Sequence, residues 1–178
     1  MRAVSELLGI AEAAEKAAKV YGVRDPYEIA EREGVRVCRY DLGSLNGMYT
    51  VLAGVPFIAL GAFLGKEEAR LVCAHELGHH FLHKSLAETA ALSDSSIFSG
   101  GGRLEYEANA FAAELLIGDS ALLDAAKVCG DVACIAAELE VHPELLAVKG
   151  EILRKKGYDF NPLDINVDFL RKQLRKRN

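Results

Sequence analysis

One short segment of this chain carries the residues best suited to metal chemistry. Residues 75–79 read His-Glu-Leu-Gly-His, an HExxH motif in a stretch of helical periodicity. Side chains four residues apart lie on one face of a helix, so His75 and His79 can converge on a single metal ion. Glu76 can reach a water molecule at that ion, and its carboxylate can take up a proton from that water. The motif therefore indicates metal-assisted hydrolysis with Glu76 as general base.

A third protein ligand is expected from a second helical segment, over residues 105–114. Catalytic zinc sites use three protein ligands and keep one position open. Glu105, Ala108 and Asn109 share a face of this helix, and small residues on that face would allow close approach to the HExxH helix. Glu105 is the favoured third ligand, whereas Glu107, about 200° around the helix from it, is the rival. Asn109 could accept a hydrogen bond from the ring of a metal-bound histidine.

Two histidines and a carboxylate suit Zn²⁺ best, and Mn, Fe, Co or Ni could also occupy such a site. The remaining histidines of the segment, His80 and His83, fall off the face of the motif and are expected to be packing or surface residues. Peptide hydrolysis also needs a donor that stabilises the oxyanion. Tyr49, Tyr106 and His142 are candidates for that role, and the sequence does not choose among them.

The elements that must position these residues follow from the periodicity of apolar side chains. Helices are predicted at residues 3–19, 26–32, 66–83 and 104–117, and again after residue 119 with breaks near Gly130, Pro143 and Gly157. Three strands are predicted at residues 35–40, 48–52 and 56–60, forming a small antiparallel meander. If residues 57–60 form an edge strand, they could pair with an extended substrate; they could equally form a central strand.

Composition places the chain among ordinary globular proteins. It has 178 residues, of which 51% are hydrophobic and 26% charged, and no apolar stretch approaches the roughly 20 residues of a membrane span. The net charge is −5, yet residues 171–178 carry five basic groups and no acid, so the remainder carries −10, which argues against a protein that mainly binds phosphates. No export signal is recognised, so a cytoplasmic location and four reduced cysteines are expected.

The two segments that carry the candidate metal ligands together resemble a known family. HELGHHFLH at residues 75–83, followed by EYEANAFAAELL at residues 105–116, resembles the ImmA/IrrE family of metallopeptidases, especially the ImmA type of integrative elements and phages. The resemblance implies an α+β, mostly helical zincin-like fold and a gluzincin-like zinc endopeptidase. It also implies zinc on His75, His79 and Glu105, with Glu76 as catalytic base. The implied substrate is a helix-turn-helix repressor, whose cleavage would relieve repression. Many related zinc peptidases carry Asp where this chain has Asn109.

The chain is expected to divide into a metallopeptidase-like domain at residues 1–118 and a helical extension at residues 119–178 with a basic tail at 171–178. Residues 135–146 have the sequence pattern of a helix-turn-helix, in which a short helix is followed by a turn and a second helix. However, the second helix offers acidic side chains and a lysine where a DNA-reading helix displays Arg, Gln, Asn or Ser. This pair of helices is therefore predicted to be structural or to dock protein, and DNA contact is not expected.

An alternative function is a binding protein that sequesters a repressor or antitoxin partner without cleaving it. Zinc would then be structural, and a closed structural site has four protein ligands. Glu107 or His83 would have to supply the fourth ligand. A regulator paired with a toxin or antitoxin is a third option, which only the neighbouring gene would separate from the first.

Overall fold

A computed structural model describes residues 2–88, 91–94 and 102–158. These residues form seven helices and four strands, which confirms the predicted α+β, mostly helical class. The helices are α1 (Arg2–Tyr21), α2 (Pro26–Arg32), α3 (Lys66–Ala87), α4 (Arg103–Leu116), α5 (Asp119–Val128), α6 (Val132–Glu138) and α7 (Pro143–Lys155). The strands are β1 (Arg36–Tyr40), β2 (Gly47–Leu52), β3 (Val55–Gly61) and β4 (Leu92–Asp94).

Local sequence signals explain where α2 begins and ends. The Asp25 carboxylate accepts hydrogen bonds from the backbone N–H groups of Tyr27 and Glu28, at 3.0 and 2.9 Å. Pro26 occupies the first helical position, where its missing N–H is not needed. Gly34 follows the helix with a φ of +72°, a conformation that glycine adopts without a steric penalty. The helix predicted at residues 26–32 is confirmed.

The sheet contains the three predicted strands in a different order from a meander. Its order is β1-β3-β2-β4, with β2 antiparallel to both neighbours and β1 parallel to β3. The strand β3 is therefore central, so the alternative in which residues 57–60 form a free edge is wrong. The alternation of side chains reports that a segment is a strand but not which strand lies beside it. The fourth strand, β4, is not among the predicted strands, and residues 95–101, which follow it, are outside the described residues.

The helix α3 packs between the sheet and α4, and α1 covers the other side of α4. Gly78 marks the contact between α3 and α4: a Cβ atom there would lie 2.9 Å from Ala108 Cα and 3.0 Å from its carbonyl oxygen. The close approach of the two helices, predicted from the small residues on the face of α4, is confirmed. Val72 and Cys73 of α3 are also buried.

The helices after residue 118 pack on the earlier elements through a buried cluster of charges. Lys149 is fully buried and its ammonium lies 2.6 Å from the carboxylate of Glu114 on α4. Asp119 at the start of α5 contacts the same lysine, and Lys156 contacts both acids at 2.7 and 2.8 Å. A glutamate near the end of a helical segment is expected at the surface, but Glu114 lies inside the protein, where these two cations bind its carboxylate.

Two other expectations bear on the C-terminal part. Cys129 and Cys134 form a disulfide between α5 and α6, whereas Cys38 and Cys73 are free, so the expectation of four reduced thiols is wrong for the first pair. The basic tail at residues 171–178 lies outside the described residues. None of the helices in the described part of the chain combines the length and the apolar character needed to cross a bilayer.

Candidate metal centre

The two histidines of the motif meet on the face of α3 that is turned toward α4. His75 and His79 are both buried, and their Nε2 atoms lie 3.2 Å apart. Burial is the main cause that lowers the pKa of His79, which favours the neutral ring that binds metals. The helical spacing of four residues thus brings the two rings to one point, as the motif predicted.

Glu105 completes the group from the first turn of α4. Its carboxylate oxygens lie 3.1 Å from His75 Nε2 and 3.5 Å from His79 Nε2. The contacts with His75 and then with His79 hold the pKa of this carboxyl well below its usual range, so it is ionised. The side chain of Glu105 is 21% exposed, whereas those of the histidines are 0% and 2%, so the group opens to solvent at the glutamate.

Asn109 lies one turn along α4 and contacts the far side of the His75 ring. Its Oδ1 atom is 2.9 Å from His75 Nδ1. An amide oxygen only accepts hydrogen bonds, so this contact places the proton of a neutral His75 on Nδ1 and leaves the lone pair on Nε2. The orientation of His75 is therefore the one that a ligand to an ion beside Glu105 requires.

Glu76 is fully buried on α3 and lies against the strand β2. A Cβ atom at Gly47 would be 2.4 Å from Glu76 Oε1 and 2.5 Å from a methyl group of Val72. The absence of a side chain at Gly47 is thus what gives this carboxylate its space. The contact of Gly47 with Glu76 is not predicted from the sequence, because it joins two segments that are distant in the chain.

Glu107 and His83 lie beside this group rather than in it. His83 is 4% exposed; its Nδ1 atom is 2.9 Å from His79 Nδ1, and its Nε2 atom is 2.8 Å from Glu107 Oε2. Arg103 Nε donates to the other oxygen of Glu107 at 2.6 Å. His83 is buried, as a packing histidine is expected to be. The contact of His83 with His79 was not predicted, although the four-residue spacing between the two histidines repeats that of the motif.

The other candidate residues have partners away from the metal-binding group. Tyr49 is buried and its hydroxyl is 2.9 Å from His80 Nδ1, and burial raises the pKa of Tyr49 to about 12. Tyr106 bonds to Glu151 on α7 at 3.3 Å, and His142 accepts the N–H of residue 144 as the cap of α7. His80 is buried, as expected of a packing histidine.

The donor set fits a divalent metal ion. Among the described residues, His75, His79 and Glu105 form the one group of three ligand atoms that lie within 4.8 Å of one another. Two ligand atoms that each bind one ion at about 2.05 Å, with a tetrahedral angle between the bonds, lie about 3.3 Å apart. The observed separations of 3.1, 3.2 and 3.5 Å bracket that value. Two unprotonated imidazole nitrogens facing a carboxylate are also a chemically suitable ligand set.

Comparison with known proteins agrees with this geometry. Residues 30–149 match the model of the peptidase family described as IrrE N-terminal-like domain. The chain is 30% identical to a protein named Metallopeptidase ImmA from Bacillus subtilis, over 66% of this chain and 68% of that protein. It is 34% identical to Uncharacterized immunity region protein 2 of Bacillus phage phi105, over 62% of this chain and 69% of that protein. The matched region includes every residue of the candidate metal centre, and the chain belongs to the ImmA/IrrE family of metallopeptidases.

Proposed function

We propose that this protein is a zinc-dependent endopeptidase that cleaves a specific peptide bond in a helix-turn-helix repressor and so relieves repression. The observation that carries this proposal is the convergence of His75, His79 and Glu105, with Asn109 holding one ring in the ligand orientation. Zinc is the ion that this donor set suits best. The buried Glu76 on the same helix supplies a carboxylate for proton transfer.

The proposed roles of the residues follow from their chemistry. His75, His79 and Glu105 would hold the ion, which when bound lowers the pKa of water toward about 7 and polarises a carbonyl group. Glu76 accepts a proton from the attacking water molecule and passes it to the amine that leaves. Asn109 keeps the His75 ring in place throughout.

The proposed substrate class is supported by the family and by one relative in particular. That relative is named for the immunity region of a phage, and another is named as the metallopeptidase ImmA. The acidic character of the chain outside the tail, with a charge of −10, supports a protein substrate rather than a nucleic acid. Cytoplasmic action on a repressor is part of the same proposal.

The alternative of a non-proteolytic binding protein requires a closed structural site, and the geometry does not favour it. Glu107 and His83, the two residues named as fourth ligands, bond to each other at 2.8 Å. His83 approaches the Nδ1 side of His79, opposite to the nitrogen that faces Glu105. The side of the group at Glu105 that is open to solvent suits an enzyme that admits a substrate.

The test is cleavage of a purified helix-turn-helix repressor from the same genome, with fragments identified by mass spectrometry. Glu76→Gln is expected to retain one zinc per chain by elemental analysis and to lower the cleavage rate about 100-fold or more. Glu105→Ala is expected to lose both zinc and cleavage. Glu67→Gln makes the same chemical change at an exposed position of α3 and serves as the matched control.

Two outcomes would contradict the proposal. Cleavage that continues unchanged in Glu76→Gln would exclude Glu76 as the base. Repressor binding without cleavage by the zinc-loaded protein, equally strong in Glu76→Gln, would instead support the binding-protein alternative.

A further inference from the structure

We propose that His83 and Glu107 form a positioning pair that holds His79 in its metal-binding orientation and fixes which of its ring nitrogens carries the proton. This inference rests on the proposed metal site but concerns residues outside its ligands. It is carried by a continuous line of contacts: His79 Nδ1 to His83 Nδ1 at 2.9 Å, and His83 Nε2 to Glu107 Oε2 at 2.8 Å.

When His79 is a metal ligand, only one placement of the ring protons allows both contacts in this line to be hydrogen bonds. The Nε2 atom of His79 faces Glu105 and must be unprotonated to bind an ion, so the proton of the neutral ring lies on Nδ1. His79 then donates to His83, whose Nδ1 atom must accept. The proton of a neutral His83 therefore lies on Nε2, where it is donated to the carboxylate of Glu107. Each hydrogen bond thus fixes the direction of the next.

The two proposed histidine ligands are then held in the same way from the same helix. Asn109 on α4 accepts from His75 directly, whereas Glu107 on α4 acts on His79 through His83. Outer contacts of this kind raise the basicity of a ligand ring and restrict its rotation. His83 thus links the Nδ1 side of the His79 ring to α4, whereas the Nε2 side faces Glu105 directly.

The surroundings of the pair are consistent with a positioning role. His83 is almost fully buried and it interrupts the helical geometry of α3, with φ −128° and ψ 17°. Glu107 is in turn held by Arg103, which also bonds to Glu6 on α1 at 2.9 Å. A buried imidazole between a proposed ligand and a carboxylate has a clear chemical use, whereas an apolar side chain would fill the same space for packing alone.

The test is the affinity for Zn²⁺, measured by competition with a chromophoric chelator on the full-length protein. His83→Phe keeps a buried ring but removes the acceptor for His79, and is expected to weaken zinc binding about 10- to 100-fold. His83→Gln restores an acceptor oxygen and is expected to recover most of that loss. His80→Phe removes another buried histidine of α3, one that contacts Tyr49, and is expected to leave the affinity within about 2-fold.

Additional measurements separate positioning from a loss of fold. The metal-free melting temperature of His83→Phe is expected to be close to that of His80→Phe, while the increase caused by zinc is smaller. The absorption spectrum of the Co²⁺-loaded variant is expected to differ from that of the native protein. If His83→Phe does not fold, Glu107→Gln is the variant that tests the proposal. It is expected to bind zinc about 10-fold more weakly than the native protein, and Glu67→Gln is its control.

The outcomes distinguish this inference from the proposed function. If the native protein binds zinc and both His83→Phe and Glu107→Gln bind it equally well, the positioning role is wrong and the metal site remains. If the native protein binds no zinc, both proposals are wrong. Loss of cleavage with unchanged zinc affinity in Glu76→Gln concerns the proposed catalytic base alone.

Discussion

At the scale of single residues, the candidate metal centre depends on glycine, which has no side chain, as well as on the residues that carry chemical groups. Glu76 has room because position 47 is glycine, and the two positions are far apart in sequence but adjacent across the contact between β2 and α3. The HExxH motif identifies Glu76 as the carboxylate, but the surroundings of that carboxylate are formed by β2, a strand without a chemical motif. The backbone of β2 therefore sets where the proposed base can lie.

Gly47→Ala tests this dependence. The new Cβ atom would lie 2.4 Å from Glu76 Oε1 and 2.5 Å from Val72, so the carboxylate or the strand must move. We expect the free energy of unfolding to fall by about 1–3 kcal/mol. We also expect cleavage to slow while zinc content is unchanged, because the proposed ligands do not contact this position. Chemical denaturation and elemental analysis measure the two effects.

Gly9→Ala is the control for this substitution. Gly9 lies on an exposed side of α1 with open space around it, and alanine there is expected to stabilise the helix by about 0.5–1 kcal/mol. A Gly47→Ala protein as stable and as active as the native one would show that Glu76 tolerates a side chain at position 47.

At the scale of elements, the centre is a contact between two helices. The helix α3 supplies the two histidines, and α4 supplies Glu105, Asn109 and Glu107. Their mutual distance is set at Gly78, where the backbone of Ala108 comes close enough to exclude any side chain. Each α4 residue reaches its histidine only because the helices are this near.

Gly78→Ala should therefore act on both stability and metal binding. Alanine in a helix interior normally gains about 1 kcal/mol over glycine, but here its Cβ would lie 2.9 Å from Ala108 Cα. We expect a net loss of about 1–3 kcal/mol in the free energy of unfolding. Zinc affinity is expected to fall as well, since α4 must move away from α3. Equal stability and equal zinc affinity would refute this role, and Gly9→Ala is again the control.

At the scale of the whole molecule, the candidate metal centre is supported by helices that contribute none of its candidate ligands. The buried charges of Lys149 and Glu114, together with the half-buried Asp119 and Lys156, join α4 to α5 and α7. Breaking one partner of such a group leaves an uncompensated charge in the interior. The position of α4, and with it Glu105, is thus tied to the C-terminal helices.

This cluster predicts a specific response to acid. Burial alone would raise the pKa of Asp119, but hydrogen bonds from Lys149 and Lys156 outweigh it and lower the pKa below its ordinary value. The resulting stability is present above the unfolded-state pKa of about 3.9 and is lost as the pH falls through the lower folded-state value. Asp119→Asn lacks this contribution, so we expect it to be less stable at pH 7 by about 1.5–3 kcal/mol.

The difference in the free energy of unfolding between the native protein and Asp119→Asn is expected to become smaller below about pH 4. Urea denaturation at a series of pH values measures this difference. Asp124→Asn on the same helix removes an exposed carboxylate that pairs with Lys127, and it is expected to change little at any pH. A difference that stays constant down to pH 3 would contradict the assigned cause.

The sequence by itself determined what depends on neighbours along the chain. The cap at Asp25, the helices and three of the strands are local patterns of hydrogen bonding and burial, and the pairing of His75 with His79 follows from helical spacing alone. The choice of Glu105 over Glu107 also rested on which side chains share one helical face. These inferences needed no knowledge of how elements pack.

Only the tertiary structure decided which distant residues meet. The central place of β3, the burial of Glu114, the space at Gly47 and the line from His79 to Glu107 all join segments that are separated in the chain. Such contacts depend on how whole elements pack, and periodicity reports only the face that an element buries, not its neighbour. For that reason a histidine that the sequence assigned to packing links a proposed ligand to the half-buried carboxylate of Glu107.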